Sequence, residues 1–144
     1  MKRFAIIFFT AIILSSCDRV YINGVLDGMW QLQMVESNNG TTAHPQNIYY
    51  SFQRHMAKVS QHYEFDLPLR YLCILDYTGD SIKMQDFIRF EDDRNYNDRK
   101  PGVPQSTLDI FYLESDPAKF KIITLNSEML ILQSENRKYT LQKW

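Results

Sequence analysis

Two cysteines, five glycines and five prolines are all that this chain holds of the residues that staple, turn or break a backbone. Two cysteines allow one disulfide at most, which excludes a small scaffold stapled by several bridges. Five scattered glycines leave no phosphate-cradling loop, and neither a Gly-x-Ser-x-Gly elbow nor a helix with paired histidines occurs. Basic residues are not in excess either: the formal net charge is −1. Without residues 1–16, which contain Lys2 and Arg3 and no acid, 14 basic residues face 17 acidic ones. A mildly acidic domain with no basic stripe lacks the electrostatic footprint of a nucleic-acid binder. What is abundant is aromatic: nine Tyr, nine Phe and two Trp. Such side chains favour pleated, half-buried surfaces, so the expectation tilts to strands. A chain of 144 residues has room for one domain with one modest core.

The N-terminus reads as an address. Lys2 and Arg3 precede an apolar run from Phe4 to Leu14, of secretory rather than membrane-spanning length. It ends in Leu14-Ser15-Ser16-Cys17, which resembles the bacterial lipobox. That resemblance implies a signal peptide over 1–16, acylation of Cys17 by palmitate-like chains, a tether over 17–26 and a domain over 27–144. It implies a protein of the bacterial cell envelope held to a membrane by lipid. Cys73 then has no partner for a disulfide.

Past the tether the chain alternates. Trp30, Leu32 and Met34 lie on one face of a first strand opened by Gly28-Met29-Trp30. Residues 37–42 form a turn-rich break. Ile48, Tyr50, Phe52 and Met56 continue the pattern, interrupted by Arg54, and a bend or a bulge is expected where the strand runs through Val59 to Tyr63, because the parity of the apolar positions changes. Gly79-Asp80 suits a tight hairpin that sets Tyr77 opposite Ile82, Leu75 opposite Met84 and Asp76 opposite Lys83. Residues 91–105 are polar with two prolines and read as a mobile loop. The spacing of Leu108, Phe111 and Tyr112 fits one short helix near 106–113, capped by Ser106 or Thr107, with a short strand as the rival. A turn at Glu135-Asn136 sets Leu132 opposite Tyr139 and Leu130 opposite Leu141; the register at Asn126 stays open.

About 7–8 strands with one apolar face and no long helix to cover it make an all-β, antiparallel up-and-down meander. Closure into a barrel buries that face and removes the edges. Here the chain resembles the small lipocalin-like lipoproteins of Bacteroidetes-type bacteria. The likeness is carried by the lipobox, by Gly28-Met29-Trp30, by Tyr77-Thr78-Gly79-Asp80-Ser81, and by the ending from Phe120 through Leu130 to Trp144. It implies a lipocalin- or calycin-like barrel in which Gly28 and Trp30 close one end. A basic side chain, Lys143 or Arg137, would pack against the tryptophan.

Candidate chemistry is sparse. An inward stripe of Tyr50, Phe52, Arg54 and Met56 would suit a small apolar ligand bearing a carboxylate, with the arginine as counter-charge; an arginine at the barrel mouth is the alternative. His44, His55 and His62 lack metal or haem spacing. The run from Asp92 to Asp98 starts like a calcium loop but has Asp98 in place of the required glycine and Pro104 in place of the closing glutamate. No metal, no cofactor and no enzyme activity are expected. Two functions follow: a membrane-anchored barrel that binds a small hydrophobic ligand, or a filled barrel whose loops, chiefly 37–47 and 91–105, contact a protein partner.

Overall fold

The computed structural model describes residues 22–64, 66, 68–90 and 102–144. Cys17, the residues around it, and the calcium-like run 92–98 lie outside the described residues, as does most of the expected loop. Nine strands follow in order: β1 Gly28–Ser37, β2 Thr42–Ala43, β3 Ile48–Gln53, β4 Met56–Gln61, β5 Leu69–Tyr77, β6 Ser81–Arg89, β7 Ala118–Leu125, β8 Met129–Gln133 and β9 Arg137–Lys143. Among the described residues a 3-10 turn, Gly24–Leu26, precedes β1, and one helix, α1 (Gln105–Ile110), lies between β6 and β7.

Every pairing is antiparallel, and the sheet closes on itself because β9 pairs with β1, from Trp30 opposite Lys143 to Ser37 opposite Arg137. β1 and β3–β9 thus make an eight-stranded up-and-down barrel, with β2 added beside the second half of β1. The 3-10 turn and the hairpin turns at 54–55, 79–80 and 126–128 gather at one end, called here the turn end. The helix and the turn at 134–136 occupy the other, the helix end.

The hairpin registers read from sequence are the observed ones. Tyr77 faces Ile82, Leu75 faces Met84, and Asp76 meets Lys83 at 3.0 Å. Leu132 faces Tyr139 and Leu130 faces Leu141. Gly79 takes a φ of 93°, as its place in the turn requires. At the Asn126 turn Leu125 faces Leu130, and a bulge at Ile123 restores Ile122 and Phe120 to the core-facing side.

Three expectations fail, each for a local reason. Met34 does not share the face of Trp30 and Leu32; a bulge between Leu32 and Met34 turns it away and brings the buried Val35 inward. The source of the parity change expected between Val59 and Tyr63 is neither a bend nor a bulge in one strand. It is a hairpin between β3 and β4, with Gln53 opposite Met56 and Arg54 at a φ of 56°. The short helix exists, but it starts one residue before Ser106, with Pro104 as its N-cap and no side-chain capping bond.

The interior is filled from both ends. Trp30, Tyr50, Phe52, Phe87, Phe111 and Tyr139 are the largest fully buried side chains. From the turn end Leu26 enters, fully buried, so residues 23–26 of the expected tether belong to the fold. From the helix end come Leu108, Phe111 and Leu113, at 2%, 0% and 0% exposure. β7 pairs with β6 only over Ser81–Met84; beyond it the amides of Asp86 and Phe87 donate to the Asp116 carboxylate, at 3.0 and 3.2 Å. Removing the Phe111 ring should leave a cavity that neighbouring strands cannot collapse into. Phe111→Ala is expected to lose about 3–5 kcal/mol in guanidinium denaturation, whereas the exposed Met56→Ala should stay within about 0.5 kcal/mol. Similar losses at both positions would contradict the stoppered interior.

Candidate functional site

Three places merit description: the turn-end closure, the barrel interior and one outer groove. At the turn end Gly28 adopts a φ of 123°, and a Cβ there would stand 2.9 Å from the Lys143 Nζ. Only glycine leaves that space. The Lys143 ammonium sits 4.3 Å from the Trp30 ring centre and donates to the carbonyls of Val25 (3.0 Å) and Asp27. Trp30 Nε1 in turn donates to the Leu26 carbonyl at 2.8 Å. Asn23 donates from its backbone and its amide to the Asp27 carboxylate, and its amide reaches the Arg54 carbonyl at 2.8 Å. Cation, ring and carbonyls therefore neutralise one another. Of the two basic partners considered for the tryptophan, Lys143 fills the role. Arg137 lies at the other end and donates to the Tyr112 carbonyl at 3.0 Å. Desolvation lowers the Lys143 pKa, and the charge of Asp27 opposes that shift.

At the helix end the segment after α1 is held by phenols. Tyr50 Oη donates to the Phe111 carbonyl at 2.5 Å and Tyr139 Oη to the Tyr112 carbonyl at 2.7 Å. Sequence reasoning placed Tyr50 among ligand contacts; its hydroxyl is instead engaged with the chain's own stopper. Phe52 is inward and buried, Arg54 sits in the exposed hairpin turn, and Met56 is outward at 51% exposure. The four do not form one stripe. The tight turn at Arg54 separates the first pair from the second, and no glycine or asparagine at that position announced it. Cys73 faces inward, at 4% exposure. Burial, with the Asp116 charge, pushes its thiol up to about 12, so it is not a nucleophile at neutral pH.

The outer groove has a volume of about 890 Å3 and opens to solvent. Tyr77 and Phe120 line it together with Arg54, Lys83, Lys119 and Lys121, against Asp76 and Glu135. Lys83 and Lys119 are direct cross-strand neighbours, a like-charge pair that no single residue reveals in the sequence. His44, His55 and His62 stay apart in loops and turns, and no cluster of metal-ligating side chains occurs among the described residues.

An eight-stranded up-and-down barrel closed below by a 3-10 turn, a tryptophan and a lysine defines a calycin-type architecture. Residues 12–144 match the family model described as a lipocalin-like domain, and the chain belongs to that family. The fold is similar to a lipocalin-like protein from Bacteroides uniformis, with 20% identity, TM-score 0.62, and coverage of 84% of this chain and 100% of that one. It is also similar to an uncharacterized protein from Bacteroides eggerthii, with 18% identity, TM-score 0.62, and coverage of 83% and 99%. No curated protein matches the chain.

Two outcomes follow from these geometries. Gly28→Ala forces a side chain into a glycine-only conformation against Lys143, and should cost about 1–3 kcal/mol by chemical denaturation. Alkaline pH should act through the buried hydroxyls and thiol. Burial raises the Tyr50, Tyr139 and Cys73 pKa values above the ordinary 10.0, 10.0 and 9.0. Each group keeps its proton in the fold where the unfolded chain has lost it. Their stabilisation is complete below the ordinary values and is lost as pH rises through the folded ones. The depressed Lys143 acts in the opposite sense, as one group against three. The denaturation midpoint should therefore fall above about pH 9, and Cys73→Ala should make that fall shallower; an unchanged slope would contradict the thiol's share.

Proposed function

We propose that this protein is a non-catalytic lipoprotein of the cell envelope, held to a membrane by acyl chains on Cys17, whose lipocalin-like barrel is solid and acts through its outer surface. The observation that carries this reading is the stoppering of the barrel from both ends, by Leu26 and Trp30 at one and by Leu108, Phe111 and Leu113 at the other. Tyr50 and Tyr139 spend their hydroxyls on that stopper rather than presenting them to a guest. A carrier of the usual kind needs an apolar cavity of several hundred cubic ångströms inside its walls. Here that space is occupied by the protein's own aromatic and aliphatic side chains.

A ligand reading is favoured by one feature, the outer groove. The partly exposed Tyr77 beside four cationic side chains suits a molecule with an anionic head and a small apolar part. Arg54, the residue singled out as a counter-charge, would serve that purpose outside the barrel and not within it.

Two measurements separate these statements. Cys17→Ala should release the full-length protein from membranes into the soluble fraction; continued tight association would contradict the anchor. Native mass spectrometry of the soluble domain should give the bare mass under the filled-barrel reading. A co-purifying small molecule lost on Lys119→Ala/Lys121→Ala would move the function to the groove.

A further inference from the structure

Exposed apolar side chains are ordinary when scattered. Here they are not scattered. Among the described residues, eight large hydrophobics are exposed, and Tyr63 is the only one placed towards the helix end. Ile22 and Val25 (52% and 48% exposed) flank the 3-10 turn itself. Met56, at 51%, follows the 54–55 turn and stands opposite Ile74, at 45%. Ile123, at 52%, is pushed outward by the β7 bulge just before the 126–128 turn, and Met129, at 43%, follows that turn. Trp144, at 69%, continues β9 past Lys143, its amide donating to the Met29 carbonyl and its ring lying edge-on to Tyr49. Strands on several sides of the barrel thus each contribute an outward apolar side chain close to the same rim.

We infer that this apolar collar seats the turn end of the barrel in the interfacial layer of a lipid bilayer, with Trp144 at headgroup depth. The inference rests on the acylated Cys17 of the proposed function. Ile22 lies five positions after Cys17, and a fully extended chain spans at most about 3.6 Å per residue, so the turn end lies within roughly 18 Å of the acylated position. Asn23 fixes the start of the fold to that rim through Asp27 and the Arg54 carbonyl, so the barrel cannot turn its helix end to the membrane without unmaking these bonds. A tryptophan with an apolar body and a polar N–H is the side chain most suited to the bilayer interface. Tethering makes the collar's encounter with lipid intramolecular, so modest apolar contacts hold the orientation.

The experiment uses the full-length acylated protein reconstituted into phosphatidylethanolamine/phosphatidylglycerol vesicles, with and without lipids brominated along the acyl chain. Flotation reads the anchor and Trp fluorescence reads the seating. The expected result is loss of the Trp144 emission with brominated lipid and its protection from aqueous iodide. The emission remaining in Trp144→Phe, from the buried Trp30, should respond to neither. Ile123→Ser/Met129→Ser, two exposed positions whose replacement leaves the core intact, should restore iodide access to Trp144. Co-flotation with Trp144 unquenched and open to iodide would overturn the seating while leaving the anchor in place. Failure to float would remove both. Protection from iodide without any quenching by brominated lipid, together with a concentration-dependent dimer, would assign the collar to a second copy and overturn the lipid assignment.

Discussion

The seam between β1 and β9 is the contact on which the rest of the structure depends. It joins ends of the chain that are far apart: the Lys143 ammonium meets the carbonyl of Asp27, 116 positions earlier in sequence. Closing so long a loop costs entropy before any contact is made, and the neighbouring hairpins, all local, form without that cost. What makes closure favourable is that it removes both sheet edges and shuts Trp30, Leu32, Tyr139 and Leu141 away from water in one step. The lysine adds a fixed point, since its stem and charge lock the last strand to the carbonyls that lead into the first. Gly28 favours that lock, because its φ of 123° is one that residues with a side chain rarely adopt, and a Cβ there would press on the end of the Lys143 side chain.

Once the wall is closed, the same logic runs inward. Eight strands enclose a space that side chains alone can fill. Aromatic residues from six strands and from the segment after α1 do so, and the three buried apolar residues of the helix end complete it. The two phenols tie that segment by donating to the Phe111 and Tyr112 carbonyls, the second of which also accepts from Arg137. A barrel assembled in this way has lipocalin-like walls around an interior packed with its own side chains.

Hairpin geometry was legible where a turn residue and an alternating pattern agreed. Gly79 and the apolar positions on either side of it, like Leu130 to Leu141, named their partners correctly because register and burial make one demand. The failures fall where a backbone irregularity is not written in residue type. Arg54 takes a left-handed conformation without being glycine or asparagine, so a hairpin read as a bend, and Met56 was placed on the wrong face. The bulge after Leu32 displaced Met34 in the same way. The candidate site was less legible than the fold. Trp30 and its basic partner were readable through family resemblance, but the stopper required long-range packing of Leu108 to Leu113, which no local pattern specifies. The groove required Lys83 and Lys119 to be known as neighbours, which only strand order reveals.

The Asp116 carboxylate, which takes the amides of Asp86 and Phe87, has a meaning beyond local geometry. Where β7 falls short, a single side chain stands in for the missing strand and accepts the hydrogen bonds a neighbour's backbone would accept. A foreign chain that tried to extend the ladder there would have to displace a charged group already in place. That carboxylate therefore serves as a guard against accidental recruitment of β-partners.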